Sequence, residues 1–276
     1  MIIAVSTCAT IDRTAGLDPV LGASTILSLA AVHQQAAGTG VAVAAQLAQL
    51  EADVVLVAAA PADSRLGSLL DGQNIPHRLV AVDRPLSGSF RVDSMAGAAT
   101  GVNRSGFHPV PGEADKLSRM VVNTAGEGDI VFITGPDDAD ECFYQTIVRD
   151  ARTHFSDITI ALDCRDNPSL LHLNWPADIR PDWIICTSIQ PEIARAVEVE
   201  LQAAGGRGRD AAVTAVAERI ALDHHVAAGV VVVSDCGRAY VASSVQQFVA
   251  DVAKNNGVAA MGVDQTVARI LHWSDR

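Results

Sequence analysis

The feature that most constrains this chain is an alternation of two hydrophobic periods. Residues 2–6, 54–58, 130–134, 158–162, 183–186 and 230–234 are short, β-branched runs that are apolar at nearly every position. A strand that reads this way has both faces buried, which is the condition inside a parallel sheet. Between these runs, residues 41–50, 114–125, 139–153, 191–204 and 210–224 carry helical patterns. Parallel neighbours need crossover connections, and helices supply them. The predicted fold is a three-layer α/β/α sandwich with a mostly parallel central sheet, built as one domain over residues 1–276. Asp129 and Asp157 each open a strand just after a helix, which suits short connections.

Two stretches break the alternation. Residues 13–34 and 74–108 hold short segments in which apolar and polar residues alternate, such as His77-Arg78-Leu79-Val80-Ala81-Val82 and Ser87-Gly88-Ser89-Phe90-Arg91-Val92. That pattern predicts antiparallel strands with one wet face. We expect parts of both stretches to form a small β lid. A small sheet leaves exposed edges that favour pairing, so the expectation extends to a homodimer through the lid, with Leu79, Val80, Phe90 and Val92 as contacts. Gly205-Gly206-Arg207-Gly208 reads as a loop between two helices.

Composition narrows the function classes. A chain of 276 residues, 49% hydrophobic and 19% charged, builds a core without disulfide or metal staples and is not disordered. Its 20 basic against 32 acidic residues give a net charge of −12, which argues against nucleic acid as a partner. Lys116 and Lys254 are the only lysines, leaving few candidates for a catalytic amine. The apolar runs fall short of the ~18 residues of a membrane span. No basic leader precedes the first strand, so no signal peptide is expected. Cys8, Cys142, Cys164, Cys186 and Cys236 include no Cys-x-x-Cys pair and are odd in number. The expectation is a reducing cytoplasm and no zinc.

Three places can carry chemistry. Ala37-Gly38-Thr39-Gly40-Val41-Ala42-Val43-Ala44 runs small residues into a helix start. It is either a tight strand-to-helix turn or a place where backbone N–H groups meet an anion. Asp12 lies just past the first strand, where open α/β sheets bind ligands. It also fits a plain turn residue. The third place is the loop Asn255-Asn256-Gly257-Val258-Ala259-Ala260-Met261-Gly262-Val263-Asp264, which leads into an amphipathic helix. Asp264 either caps that helix or acts as a general base at its terminus. Weaker candidates are His224-His225 at a helix end, the acidic run Asp137-Asp138-Ala139-Asp140-Glu141, and Cys164. We read these as a solvated terminus, a helix start that complements the dipole, and a packed small hydrophobe.

Taken in order and spacing, these places resemble the ribokinase-like sugar kinases of the phosphofructokinase B type. Thr7-Cys8-Ala9-Thr10-Ile11-Asp12-Arg13-Thr14 is similar to the Thr-x-Asn-Pro-Ala-x-Asp opening of the sugar-phosphate branch. Residues 37–44 resemble the Gly-Gly-Lys-Gly-x-Asn-x-Ala motif, and 261–264 stand in the place of the Gly-Ala-Gly-Asp signature. Thr134-Gly135-Pro136 and Val231-Val232-Val233-Ser234 fall where the family has its Thr-Gly and its nucleotide-side strand. The resemblance covers about residues 1–273. It implies ATP with Mg2+ as cofactor and phosphoryl transfer to the hydroxyl of a sugar or sugar phosphate. Asp264 is then the catalytic base, and the backbone amides of Gly262 and Val263 form the anion hole. Asp12, Gly38, Thr39 and Gly40 bind substrate, and Ser188, Ser234 and Gly237 face the nucleotide. No residue is assigned to a protein-held metal.

The chain also departs from the pattern. Thr39 stands where the family has lysine, and Ala42 where it has asparagine. Cys8 and Ala9 replace Asn-Pro. Met261-Gly262-Val263 replaces Gly-Ala-Gly. Cys186-Thr187-Ser188-Ile189-Gln190-Pro191-Glu192 is only faintly similar to the family's Asn-x-x-Glu, and Asp235-Cys236-Gly237 is shorter than its glycine pair. Beyond Trp273 the family continues, completing its adenine pocket. Losing the lysine removes a charge for a phosphorylated substrate, and side chains beside the anion hole crowd the backbone donors it needs. A general base without that cradle achieves little. The alternative expectation is therefore a kinase-like protein that serves as a ligand-binding or regulatory module.

Overall fold

The structure is a computed structural model that describes residues 1–17, 32–94, 99–104, 109–135, 141–165, 167–172, 175–187, 190–203, 208–223, 226, 229–233, 239–243, 247–250 and 267–271. Its large sheet contains β1 (Ile2–Ser6), β4 (Val54–Ala60), β5 (His77–Ala81), β8 (Ile130–Thr134), β9 (Thr159–Asp163), β10 (Trp183–Thr187), β11 (Gly229–Val233), β12 (Ala239–Ser243) and β13 (Gln247–Ala250). The nine strands lie in the order β13-β12-β11-β10-β9-β8-β1-β4-β5. From β11 to β5 every neighbouring pair is parallel. Strands β12 and β13 extend the sheet antiparallel.

The apolar runs build this sheet because each residue on either face has something to pack against. Strands β1, β8 and β11 are buried at all their positions. On one face Ile3, Val5, Ile133, Leu162, Ile184 and Val232 meet Leu117, Tyr144, Ile147, Val197 and Val213. Those partners come from α3 (Glu113–Val122), α4 (Glu141–His154), α5 (Pro191–Ala203) and α6 (Arg209–Asp223). On the opposite face Ile2, Ala4, Leu56, Phe132, Ala161, Ile185 and Val231 meet Val43, Leu47, Leu66, Leu70 and Val267. These belong to α1 (Thr39–Gln49), α2 (Leu66–Gly72) and the helical residues 267–271. The result is the three-layer α/β/α sandwich expected from the sequence. No helix among the described residues is long and apolar enough to cross a membrane.

A second sheet of four strands, β3-β2-β6-β7, stands apart. It contains β2 (Thr10–Leu17), β3 (Val32–Ala37), β6 (Gly88–Ser94) and β7 (Ala99–Arg104). Two expectations are corrected here. Residues 77–82 do not belong to the small sheet. Strand β5 pairs parallel with β4 and forms an edge of the large sheet. It alternates because an edge strand is only half covered, as its mixed burial shows, and not because it is antiparallel. Val80 is therefore a core residue and Leu79 packs against the core, so neither is a contact of the small sheet. The small sheet is also not wholly antiparallel, since β2 and β6 run parallel. Both continue outward from the C-terminal ends of parallel strands, β2 after β1 and β6 after β5, and so share a direction.

Candidate functional site

The small sheet is tied to the large one at the C-terminal ends of its parallel strands, the side where open α/β sheets bind ligands. The link between β1 and β2 is held from below. Arg84 donates to both oxygens of Glu113, from Nε at 2.9 Å and Nη2 at 2.7 Å, and Nη2 also donates to the Thr7 carbonyl at 3.2 Å. Glu113 lies in the first turn of α3, fully buried, and also accepts from the Val110 amide at 3.1 Å. The ion pair fixes the path of the chain as it leaves β1.

Asp12 sits on β2, half-buried, with Gln35 of β3 as its cross-strand partner. Its Oδ1 accepts from Thr10 Oγ1 at 3.4 Å and from the Ser89 amide at 3.2 Å. The ladder of β2 and β3 ends at Thr10 and Ala37, and Gly38 follows. Gly38 has φ 107°, and a Cβ there would lie 2.7 Å from the Cys8 carbonyl oxygen. Both facts demand glycine. Gly40 is buried against the strand ends, where a Cβ would stand 2.6 Å from Ser6 Cβ and 2.8 Å from Thr134 Cγ2. Helix α1 thus begins wedged against β1 and β8. Its first turn carries no acidic residue, and its N-cap, Gly38, offers no side-chain bond. A cavity of about 330 Å³ runs beside this helix, lined by residues 35–39, Val41, Ala42, Ala45 and Gln73. Gln73 closes one wall, bonding both the amide and the carbonyl of Ala36.

On the α1 face the strand ends carry a row of buried polar side chains. Ser6 pairs in register with Thr134, and Thr134 with Asp163. Asp163 pairs with Ile185, two residues before Thr187. Side chains alternate along a strand, so all four share the face of Ala4, Phe132, Ala161 and Ile185. None of the four exceeds 5% exposure. Asp163 is held by Arg165, whose Nε donates to Oδ1 at 2.9 Å and whose Nη2 donates to Oδ2 at 2.7 Å. The Arg165 amide adds a bond to Oδ1 at 3.1 Å. Gln190 turns its amide back on the backbone, donating to the Cys164 carbonyl at 2.6 Å and accepting from the Thr187 amide at 3.0 Å. The Thr187 hydroxyl is buried without a hydrogen-bond partner among the described residues.

The other face is closed by packing. Thr7 Oγ1 donates to the Thr134 carbonyl at 3.2 Å, and the Tyr144 hydroxyl bonds the side chains of Asn167 and Thr7. Burial pushes the Tyr144 phenol up. It also pushes the Cys186 thiol up to about 12 and raises Cys164 well above its usual value. These thiols are inert fillers at neutral pH, as expected for Cys164.

Of the residues singled out from sequence, Asp12, Gly38, Thr39 and Gly40 follow one path from the small sheet to the strand ends. Asp264, Gly262, Val263, Ser188, Ser234 and Gly237 lie outside the described residues, as do His224, His225 and most of the acidic run 137–141. The helical residues 267–271, which follow Asp264, pack on the α1 face through Val267, Ala268 and Leu271. Sequence reasoning missed the pairs Arg84–Glu113 and Asp163–Arg165. An Asp-x-Arg spacing at a strand end was the available signal for the second.

No family model and no curated protein matches the sequence. Solved structures do match the fold. Phosphofructokinase-2 from Escherichia coli in complex with fructose-6-phosphate superposes with TM-score 0.73 at 18% identity, over 98% of this chain and 85% of that one. The tetrameric inhibited form of the same enzyme gives 0.70 at 19%, over 90% and 78%. Ribokinase from Giardia lamblia gives 0.59 at 12%, over 90% and 78%. The chain has the ribokinase-like fold of carbohydrate kinases. For the cofactors that this fold implies, the donor set divides. The buried Thr187 hydroxyl, without a hydrogen-bond partner among the described residues, suits a polar group of a ligand. The Asp163 carboxylate does not suit a cation, because a guanidinium already covers both its oxygens. Among the described residues no cluster of His, Cys, Asp or Glu is arranged to hold a metal.

Proposed function

We propose that this chain is an ATP-dependent kinase of a sugar or sugar phosphate, which it binds between the small sheet and the C-terminal ends of the large one. The observation that supports this most is the continuity of Asp12, Gly38 and Gly40 with the polar row on the strand ends, on a fold shared with sugar kinases. Both bonds to Asp12 among the described residues fall on Oδ1. Oδ2 is the atom proposed to accept from sugar hydroxyls. Gly38, Thr39 and Gly40 present backbone N–H groups at the start of α1 to the substrate's anionic end. In the same reading Asp264 takes the hydroxyl proton, the amides of Gly262 and Val263 face the transferred group, and Ser188, Ser234 and Gly237 line the nucleotide side. The small sheet serves as a lid, two copies pair through its edges β3 and β7, and the protein works in the cytoplasm.

A second reading, a binding or regulatory module without transfer, is favoured by Asp163, whose charge is already met within the chain. Calorimetry with fructose-6-phosphate and with ATP, run beside a coupled ADP-release assay, separates the two. Sugar-phosphate binding with ADP release lost in Asp264→Asn supports the kinase, since a general base contributes about 10²–10⁴-fold. Binding without release supports the module. If neither compound binds, the kinase reading is refuted.

A further inference from the structure

The end of β9 is unusual for a site expected to use a divalent cation. Asp163 is 1% exposed and the Arg165 side chain 7%. The pair is a fork-to-fork contact, with Nε at 2.9 and 3.1 Å from the two carboxylate oxygens and Nη2 at 2.7 Å from one. Together with the Arg165 amide, these donors occupy most of the roughly four lone-pair positions a carboxylate offers. At the end of β10, next in the sheet, the residue that reaches back is Gln190. It is a neutral amide, and both its ends are committed to backbone groups. A hard cation takes oxygen ligands, and Mg2+ in particular is held by one or two carboxylates together with phosphate oxygens. For Asp163 to serve, Arg165 would have to leave it, breaking a fork-to-fork ion pair whose two side chains are both buried. Removing one partner from such a pair is among the costliest single changes in a protein interior.

We infer that Arg165 is the resident cation of this strand end. It fills the place on Asp163 that a divalent ion would take, and ligands bind at this end without recruiting metal through Asp163. The inference deepens the proposed function by setting the metal dependence of the same site, but its first test needs no ligand and does not rest on that reading.

That test is a titration of the full chain with Mn2+ alone, following the free ion by electron paramagnetic resonance. It compares wild type, Arg165→Gln and the charge-neutral double variant Asp163→Asn/Arg165→Gln. Acidic surface groups add a background common to all three. Wild type and the double variant are expected to bind the same number of ions. Arg165→Gln, which frees the carboxylate, is expected to gain one site, read as one further Mn2+ bound per chain. Loss of a site in the double variant relative to wild type would overturn the inference, as would a folded Arg165→Gln that gains none. If Arg165→Gln fails to fold, the comparison of wild type with the double variant still decides. In a second arm, the non-hydrolysable nucleotide AMP-PNP is titrated by calorimetry into wild type in EDTA and in Mg2+. Equal affinity supports the inference, and a Mg2+ requirement removed by the double variant refutes it. Absence of nucleotide binding would count against the kinase reading while leaving the Mn2+ result to stand.

Discussion

Replacing Gly38 by alanine tests whether the junction between the two sheets is built as tightly as described. Two penalties combine at this residue. Its backbone, at φ 107° and ψ 154°, lies in a region that residues with a Cβ avoid, at about 1–3 kcal/mol. The new methyl would also stand 2.7 Å from the Cys8 carbonyl oxygen. That atom is backbone, pinned where Arg84 and Glu113 hold the β1–β2 link, and cannot rotate aside. Overpacking of this kind adds about 1–3 kcal/mol, while the stiffer unfolded chain returns about 0.4–1 kcal/mol. The net loss is about 1–5 kcal/mol, centred on about 3 kcal/mol, a fall in urea midpoint on the order of 1 M. Gly112→Ala is the control. Gly112 also has positive φ, 75°, but a Cβ there meets nothing within 4 Å, so the backbone penalty of about 1–2 kcal/mol stands alone against the same return from the unfolded chain. Equilibrium urea unfolding followed by circular dichroism reads both. Equal midpoints for the two variants would show that Cys8 does not press on Gly38, and the account of how α1 is seated would fall with it.

Further outcomes follow from other contacts. Arg84→Met, which strands the fully buried Glu113, should cost about 3–5 kcal/mol, whereas Arg219→Met at the half-exposed pair with Glu200 should cost about 1 kcal/mol or less; denaturation curves distinguish them. Burial raises the thiols of Cys164 and Cys186 above the ordinary value of 9.0, the latter to about 12. The unfolded chain therefore sheds protons above pH 9 that the folded chain keeps, and stability should fall as pH rises from about 9 towards 12, by about 1.4 kcal/mol per pH unit for each thiol. A slope unchanged in Cys186→Ala would contradict this. Native-state alkylation at pH 8 should reach the exposed Cys142 and spare Cys164 and Cys186, as mass spectrometry of the labelled peptides would show. If the small sheet pairs two copies, light scattering at micromolar concentration gives a dimer, and a monomer there removes the proposal.

The large sheet was legible because its signal is repeated. Each interior strand reads as an unbroken apolar run, and a change at any one position leaves the run recognisable. Legibility failed where cover is partial. His77–Ala81 alternates like a strand with a wet face because it lies at an edge, and alternation alone does not distinguish an edge strand of a parallel sheet from an antiparallel one. Helix α2, only seven residues long, gave too short a periodic window to register. The antiparallel pair β12 and β13 went unread for a related reason: strands of five and four residues carry little pattern of their own.

The candidate site failed differently. Its polar row takes one residue from each of four strands, Ser6, Thr134, Asp163 and Thr187, and only the register of the sheet brings them together. In sequence Ser6 and Asp163 look like the ends of strands, and Thr134 and Thr187 stand out only through the resemblance. The resemblance to sugar kinases pointed to the C-terminal ends of the parallel strands as the place to look, since order and spacing survive many substitutions. It did not say what charge the edge carries, because that depends on a single side chain turning back. Arg165 could as well have pointed to solvent from its place two residues after Asp163. The structure shows it closed on the carboxylate, and with that one contact the charge of Asp163 is met within the chain. Hundreds of atoms specify the sheet and tolerate change, whereas one guanidinium sets the charge at Asp163. Similarity of fold thus says nothing about whether Asp163 is open to a cation, which one neighbouring side chain decides.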